Sequence, residues 1–169
     1  NKNEFSHNVM LQALKNTDNR IKNDQSVTPG FLLAALLWPT LISRCTKNNE
    51  INIKKFFRSM DGVLREQQKL TAVPRKLNSY IKDIWVLQLK LHSRIKSQPY
   101  KTIRHPRFRA AYDFLLVREQ ASSDKNGLGK WWTDFQKNND SLRGSLIARM
   151  NEKSDVDSSK IFGFYNELR

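Results

Sequence analysis

Pro74-Arg75-Lys76 and Pro106-Arg107-Phe108-Arg109 each set two cations directly behind a proline. Proline suits the first turn of a helix, where its missing N–H is no loss and its fixed φ is already helical. Both segments therefore read as helix starts that carry positive charge at the positive end of the helix dipole. Each such misplacement costs about 0.3–1 kcal/mol on a protein surface. An anion seated at the N-terminus reverses the penalty, because free backbone N–H groups and the cations then converge on it. Arg104 and His105 stand just outside the second start and add donors. The chemistry that this pattern suits is the binding of phosphate groups. The plainer alternative is that proline sets both starts and water solvates the charges.

The stretch behind Pro74 continues the pattern. Arg75, Lys82 and Lys90 fall roughly opposite a stripe of Tyr80, Ile84, Leu87 and Leu91, with Ser79 and Ser93 on their side and Arg94 and Lys96 just beyond. An outward strip of cations and hydroxyls suits contact with an RNA backbone without base readout. It suits a solvated face equally. Tyr100, beside Lys101 and outside any clear stripe, is the aromatic best placed to stack on an unpaired base. Trp131 and Trp132 compete for that role, but helical spacing commits at least one of them to a core. Trp38 and Trp85 lie in apolar runs and read as buried.

Signatures of catalysis are missing from the sequence. His7, His92, His105 and Cys45 show no metal-ligand spacing. No glycine-rich phosphate loop occurs, and no close carboxylate pair sits on an apolar background. Asp155 and Asp157 stand two apart in a polar stretch and read as a solvated loop. The chain by itself reads as a binding unit without catalytic residues.

Charge points the same way. Thirty Lys and Arg oppose 16 Asp and Glu, a net charge of +14. Between Arg65 and Arg109 there are 12 basic residues against Glu66 and Asp83, so this segment holds +10 of the total. A field concentrated in this way is the footprint of a polyanion partner. The single cysteine rules out an internal disulfide and fits a reducing compartment, most simply the cytoplasm. Phe31 to Trp38 is the longest apolar run and is too short to span a membrane. The first residue is Asn1 rather than Met, which suggests a trimmed or processed piece.

The elements that must position these groups are helical by periodicity. Val9, Met10, Ala13, Leu14, Thr17 and Ile21 share one face of a first helix. Thr28-Pro29 opens a second, apolar all round and so central to the core, with Pro39 expected to kink or break it near Trp38. Asn49 is a plausible cap for a third, which turns Ile53, Phe56, Phe57, Met60 and Leu64 inward. Pro74 starts a fourth. There Trp85, Leu87, Leu89 and Leu91 also alternate as in a strand, but the proline start, the length and the lack of turn residues favour helix. After a connector over 97–105 that has room for a short helical turn, Pro106 starts a fifth, with Phe108, Ala111, Tyr112 and Leu115 on one side. Residues 121–129 form a polar loop. Leu128, Trp131, Trp132 and Phe135 mark a short helix, and Leu142, Leu146, Ile147 and Met150 a last one. No strand pair or repeat emerges. The expected fold is all-α, an irregular multi-helix bundle with a short C-terminal tail. Its parts are a helical RNA-binding domain over 1–137 and a short helix with a polar tail over 138–169, ordered only if Phe162, Phe164 and Tyr165 dock.

Several runs, in order, resemble the C-terminal half of bacterial poly(A) polymerases. They are Leu14-Lys15-Asn16-Thr17-Asp18-Asn19-Arg20-Ile21, Phe31 to Trp38, Val73-Pro74-Arg75, Asp83 to Leu89, His105 to Leu115, and Lys130-Trp131-Trp132 with Phe135-Gln136. The resemblance covers about residues 8–136. It implies an enzyme related to the CCA-adding enzymes, with a catalytic head, a nucleotide-selecting neck and helical C-terminal parts that hold RNA. The head's Gly-Ser motif and Asp-x-Asp pair have no counterpart here, so no catalytic residue carries over, and ATP and Mg belong to a head absent from this chain. The implied role is to hold single-stranded RNA 3′ ends for template-independent AMP addition, with that head as partner. The chain departs from the resemblance at its end, where 151–169 hold three basic and four acidic residues instead of an Arg- and Lys-rich tail. Two alternatives stay open: the RNA-binding end of a CCA-adding enzyme, and a basic module that docks an acidic protein or an anionic membrane surface.

Overall fold

A computed structural model describes residues 2–24, 27–47, 50–71, 74–122 and 127–151. These form eight helices: α1 (Lys2–Lys22), α2 (Pro29–Cys45), α3 (Ile53–Leu70), α4 (Lys76–Leu91), α5 (Gln98–Ile103), α6 (Phe108–Ala121), α7 (Leu128–Lys137) and α8 (140–151). The all-α expectation holds, with one small addition. Between α2 and α3, β1 (Thr46–Lys47) and β2 (Glu50–Ile51) pair antiparallel, Thr46 opposite Ile51. A chain reversing within so few residues meets its own backbone, and the Asn52 N–H continues the pairing by donating to the Cys45 carbonyl (2.9 Å).

Proline and asparagine set the helix starts, with local corrections. Pro29 occupies the first turn of α2, as its sequence position implies. Pro39 does not break that helix, which runs unbroken to Cys45. Tertiary packing along most of the helix outweighs one missing hydrogen bond: Ala34, Ala35, Trp38, Leu41 and Cys45 are all buried, and α2 packs on α1, α3, α4 and α6. The cap of α3 is Asn52, whose side chain accepts from the Lys55 N–H (2.9 Å). The expected cap, Asn49, lies outside the described residues.

Two hydrophobic clusters share α4 and α6 as common walls. Trp38, Phe56, Ile81, Ile84, Trp85, Leu89, Phe114 and Val117 belong to the first. Leu87, Leu91, Phe108, Tyr112, Leu115, Trp131, Trp132 and Phe135 belong to the second. This division explains the strand-like alternation of α4: Trp85 and Leu89 face one cluster, Leu87 and Leu91 the other, and a helix buried on two sides mimics a period of two. Indole N–H groups pin distant segments, Trp85 Nε1 donating to the Ala34 carbonyl (3.0 Å) and Trp132 Nε1 to that of Leu91 (2.9 Å). The Gln88 carboxamide closes the wall between the clusters. It donates to the Ala111 carbonyl (2.9 Å) and accepts from Arg118 Nη1 (3.0 Å). All four tryptophans are buried, so neither Trp131 nor Trp132 is exposed for stacking.

The face expected of α1 splits. Val9 and Ala13 are buried, whereas Met10, Leu14 and Ile21 are exposed by 37, 39 and 60%. A helix touching its neighbours along one narrow edge cannot cover a wide apolar stripe. On α8, Ile147 joins the second cluster, with Leu146 and Met150 packed against it, while Leu142 is exposed. The tail with Phe162, Phe164, Tyr165, Asp155 and Asp157 lies outside the described residues.

Candidate nucleic-acid interface

The two cationic helix starts fold differently. Helical geometry at the first begins at Arg75, with the Leu77 N–H donating to the Pro74 carbonyl (2.9 Å); Arg75 and Lys76 are exposed, and no side chain caps the turn. At the second, the His105 side chain folds back. Its Nδ1 accepts from the Arg107 N–H (3.1 Å) and its carbonyl from the Phe108 N–H (2.8 Å). Two of the donors that would face an anion at this start are therefore engaged, and what remains for a ligand is chiefly the side chains.

Those side chains line a groove of about 730 Å³, open to solvent, between α1 and α6 and floored by the starts of α2 and α4. Arg107 and Arg109 enter from α6, Asn16, Asn19 and Arg20 from α1, and Tyr80 from α4. The Arg107 guanidinium lies over the Tyr80 ring, 4.8 Å from its centroid. Tyr80 is wedged against α2: a Cβ on Gly30 would come within 2.6 Å of its Cδ1. Burial raises the Tyr80 phenol above its ordinary pKa, against smaller opposing pulls from a Thr28 hydrogen bond and the charge of Arg107. Arg109 meets Asp113, its Nε 3.1 Å from a carboxylate oxygen. The groove thus holds three arginines against one carboxylate.

The other expected residues are dispersed. Lys82 is half-buried and forms an ion pair with Asp61 of α3, so it braces two helices instead of projecting outward. Lys90, Lys96, Lys101 and Arg104 are exposed, and Lys96 has a left-handed backbone (φ 50°). Arg94 lies over Trp131, 5.8 Å from the ring centroid. Tyr100 is half-buried with its ring edge-on to Phe135 (5.4 Å), so part of the ring serves the second cluster. Ser79 is exposed as expected. Ser93 is buried, a correction that follows from its place just past α4, where the chain turns inward. Four groove residues carry no such signal in the sequence. Tyr80 falls in a packed stripe by its spacing, and Asn16, Asn19 and Arg20 lie outside the cationic segment. The i, i+3, i+4 spacing of these last three marks a polar face on α1, but nothing local ties that face to α6.

Among the described residues no three His, Cys, Asp or Glu side chains gather as a metal-binding group, and no helix is long and apolar enough to cross a membrane. The fold and the groove define a basic, all-helical domain whose polar chemistry is cationic and aromatic. Residues 48–160 match the family described as polymerase A arginine-rich C-terminus. The chain is 39% identical over 134 residues to poly(A) polymerase I of Escherichia coli O157:H7 and 37% identical over 134 residues to that of Salmonella typhi; each match covers 76% of this chain and 29% of the relative. With poly(A) polymerase I of Haemophilus influenzae it shares 32% identity over 148 residues, 85% of this chain and 33% of the relative. The chain belongs to the polymerase A arginine-rich C-terminus family. It spans about a third of the length of the curated relatives that it matches.

Proposed function

We propose that this chain is the RNA-holding region of a polynucleotide adenylyltransferase. It keeps a single-stranded 3′ end in place while a catalytic head outside this chain adds AMP without a template. ATP and Mg²⁺ are used by that head. The work is done in the cytoplasm, where the buried Cys45 stays reduced.

The observation that carries this reading is the concentration of exposed cations from the starts of α4 and α6 through α5, with few acids to neutralise them. Arg75, Lys76, Lys90, Lys96, Lys101, Arg104 and Arg107 are all exposed, and no ion pair joins any of them to a carboxylate among the described residues. Exposed cations of this kind grip phosphates irrespective of sequence, and affinity then falls steeply with salt.

Titration of labelled oligo(A) at several salt concentrations, with tRNA as competitor, tests the proposal. Salt-sensitive binding that tRNA does not out-compete is expected. A strong preference for tRNA replaces the reading with that of a CCA-adding enzyme. No binding at low salt removes the RNA function, and capture of a protein that survives nuclease treatment then favours the protein-docking alternative.

A further inference from the structure

We infer that the groove between α1 and α6 is a nucleotide subsite: it seats one phosphodiester-linked nucleotide of a single RNA strand, with phosphate against Arg20 and Arg109 and the base against the Arg107–Tyr80 pair. The inference rests on the RNA-holding reading and adds where and how one unit of the strand is gripped.

Several observations converge on the groove. Arg20 and the pair Arg107 and Arg109 come from helices far apart in sequence, yet they line one cavity. The charge of Arg20 reaches the Tyr80 phenol, as does that of Arg107. Arginine suits phosphate because its planar fork can donate two parallel hydrogen bonds. Asp113 offsets part of this charge by engaging Arg109, which leaves Arg107 without an ion pair among the described residues.

The second observation is a rigid aromatic wall. Tyr80 is held between Gly30 and the Arg107 guanidinium, so its ring is positioned before any ligand arrives. Unpaired bases stack on aromatic rings and on guanidinium planes alike; here Arg107 covers the Tyr80 ring, so the surface offered to a base is the exposed guanidinium plane backed by that ring. Asn16 and Asn19 also line the groove, and carboxamides suit a base edge, although the Asn16 Oδ1 already accepts from Gln12 Nε2 (3.0 Å). The volume, 730 Å³, lies within the roughly 300–1,000 Å³ typical of small-ligand sites. A bare patch of charge would have neither the aromatic backing nor the groove.

The test compares two doubly substituted chains that lose equal charge: Arg20→Ala with Arg107→Ala in the groove, and Arg58→Ala with Lys69→Ala on α3, outside it. Oligo(A) carrying a photoreactive base at successive positions reports both affinity and the peptide reached. The groove pair is expected to weaken binding about tenfold or more, and the α3 pair about threefold or less. The salt slope should become shallower by roughly 0.7 for each phosphate that the variant no longer neutralises. Crosslinks should fall on the peptide containing Tyr80 and disappear in the groove variant. Arg107→Lys keeps the charge and the fold but removes the planar stack, and should give an intermediate loss. Thermal melts of every variant confirm folding.

Equal weakening by the two pairs, or no crosslink at Tyr80, overturns the subsite while leaving RNA binding intact. Protection of Tyr80 by free AMP, but not by oligo(A), makes the groove a mononucleotide pocket and also overturns it. Failure of the unsubstituted chain to bind oligo(A) removes both the subsite and the reading beneath it.

Discussion

At the start of α4, Arg75 and Lys76 stand exposed with no side chain capping the turn. At the start of α6, Arg107 lies over Tyr80, Arg109 meets Asp113, and His105 caps the Arg107 N–H. The two segments carry the same charge behind the same residue and bear the same dipole penalty. What separates them is company: the second start faces a polar edge of α1 and an aromatic ring from α4, and Arg75 and Lys76 do not line that groove. A cationic helix start therefore becomes a candidate site through the residues that other helices bring to it, and its own sequence does not reveal which start will be furnished.

The comparison breaks most readily at Gly30. In Gly30→Val the new side chain meets the Tyr80 ring and should destabilise the fold by about 1–3 kcal/mol, as over-packing does. A lower denaturant midpoint checks this. Binding through the α6 start should fall with it, while the further effect of Arg75→Ala stays unchanged. Charge reversal sharpens the contrast directly. Arg107→Glu should weaken oligo(A) about tenfold, near 1.4 kcal/mol, and Arg75→Glu only about threefold, as read by titration at fixed salt. Equal losses would reduce both starts to generic charge.

Smaller effects probe the local supports. His105→Ala removes the acceptor for the Arg107 N–H and should lower stability by about 0.5–1 kcal/mol, measured by urea unfolding. No matching cost exists at the α4 start, which has no side-chain cap. The smallest effect concerns pH. Burial raises the pKa of Tyr80 in the folded chain, so its contribution to stability is complete below the unfolded value, near 10. That contribution is lost as pH rises through the higher folded value. The melting temperature of the unsubstituted chain should thus fall more steeply above about pH 10 than that of Tyr80→Phe.

Much of the fold is legible in the residues. Pro29 marks the start of α2 and Pro74 and Pro106 the approaches to α4 and α6, and apolar spacing brings Ile84, Leu87, Leu91, Phe108, Ala111 and Leu115 inward. These are local properties, set by backbone chemistry and a 3.6-residue period. Expectation and structure part where distant contacts decide. Pro39 sits in an unbroken helix because the rest of α2 is packed against four other helices, Met10 and Leu14 stay exposed because no described element covers them, and Lys82 is drawn to Asp61 on α3. For the candidate site, Arg107 and Arg109 are legible as misplaced charge, whereas Arg20, Asn16, Asn19 and Tyr80 are not.

By itself, then, the sequence determines an all-helical chain, its proline-led helix starts, a positive charge concentrated over 65–109 and a resemblance to the C-terminal part of poly(A) polymerases. Each follows from residue type and short-range spacing. Tertiary structure alone decides that α4 and α6 are buried on two sides, that the α6 start borders a groove furnished by other helices, and that Arg20 and Arg107 line that groove together with Tyr80. The physical reason is that these relations depend on the packing of helices dozens of residues apart. Close packing chooses among the many pairings that one amphipathic pattern permits, and no local period encodes that choice.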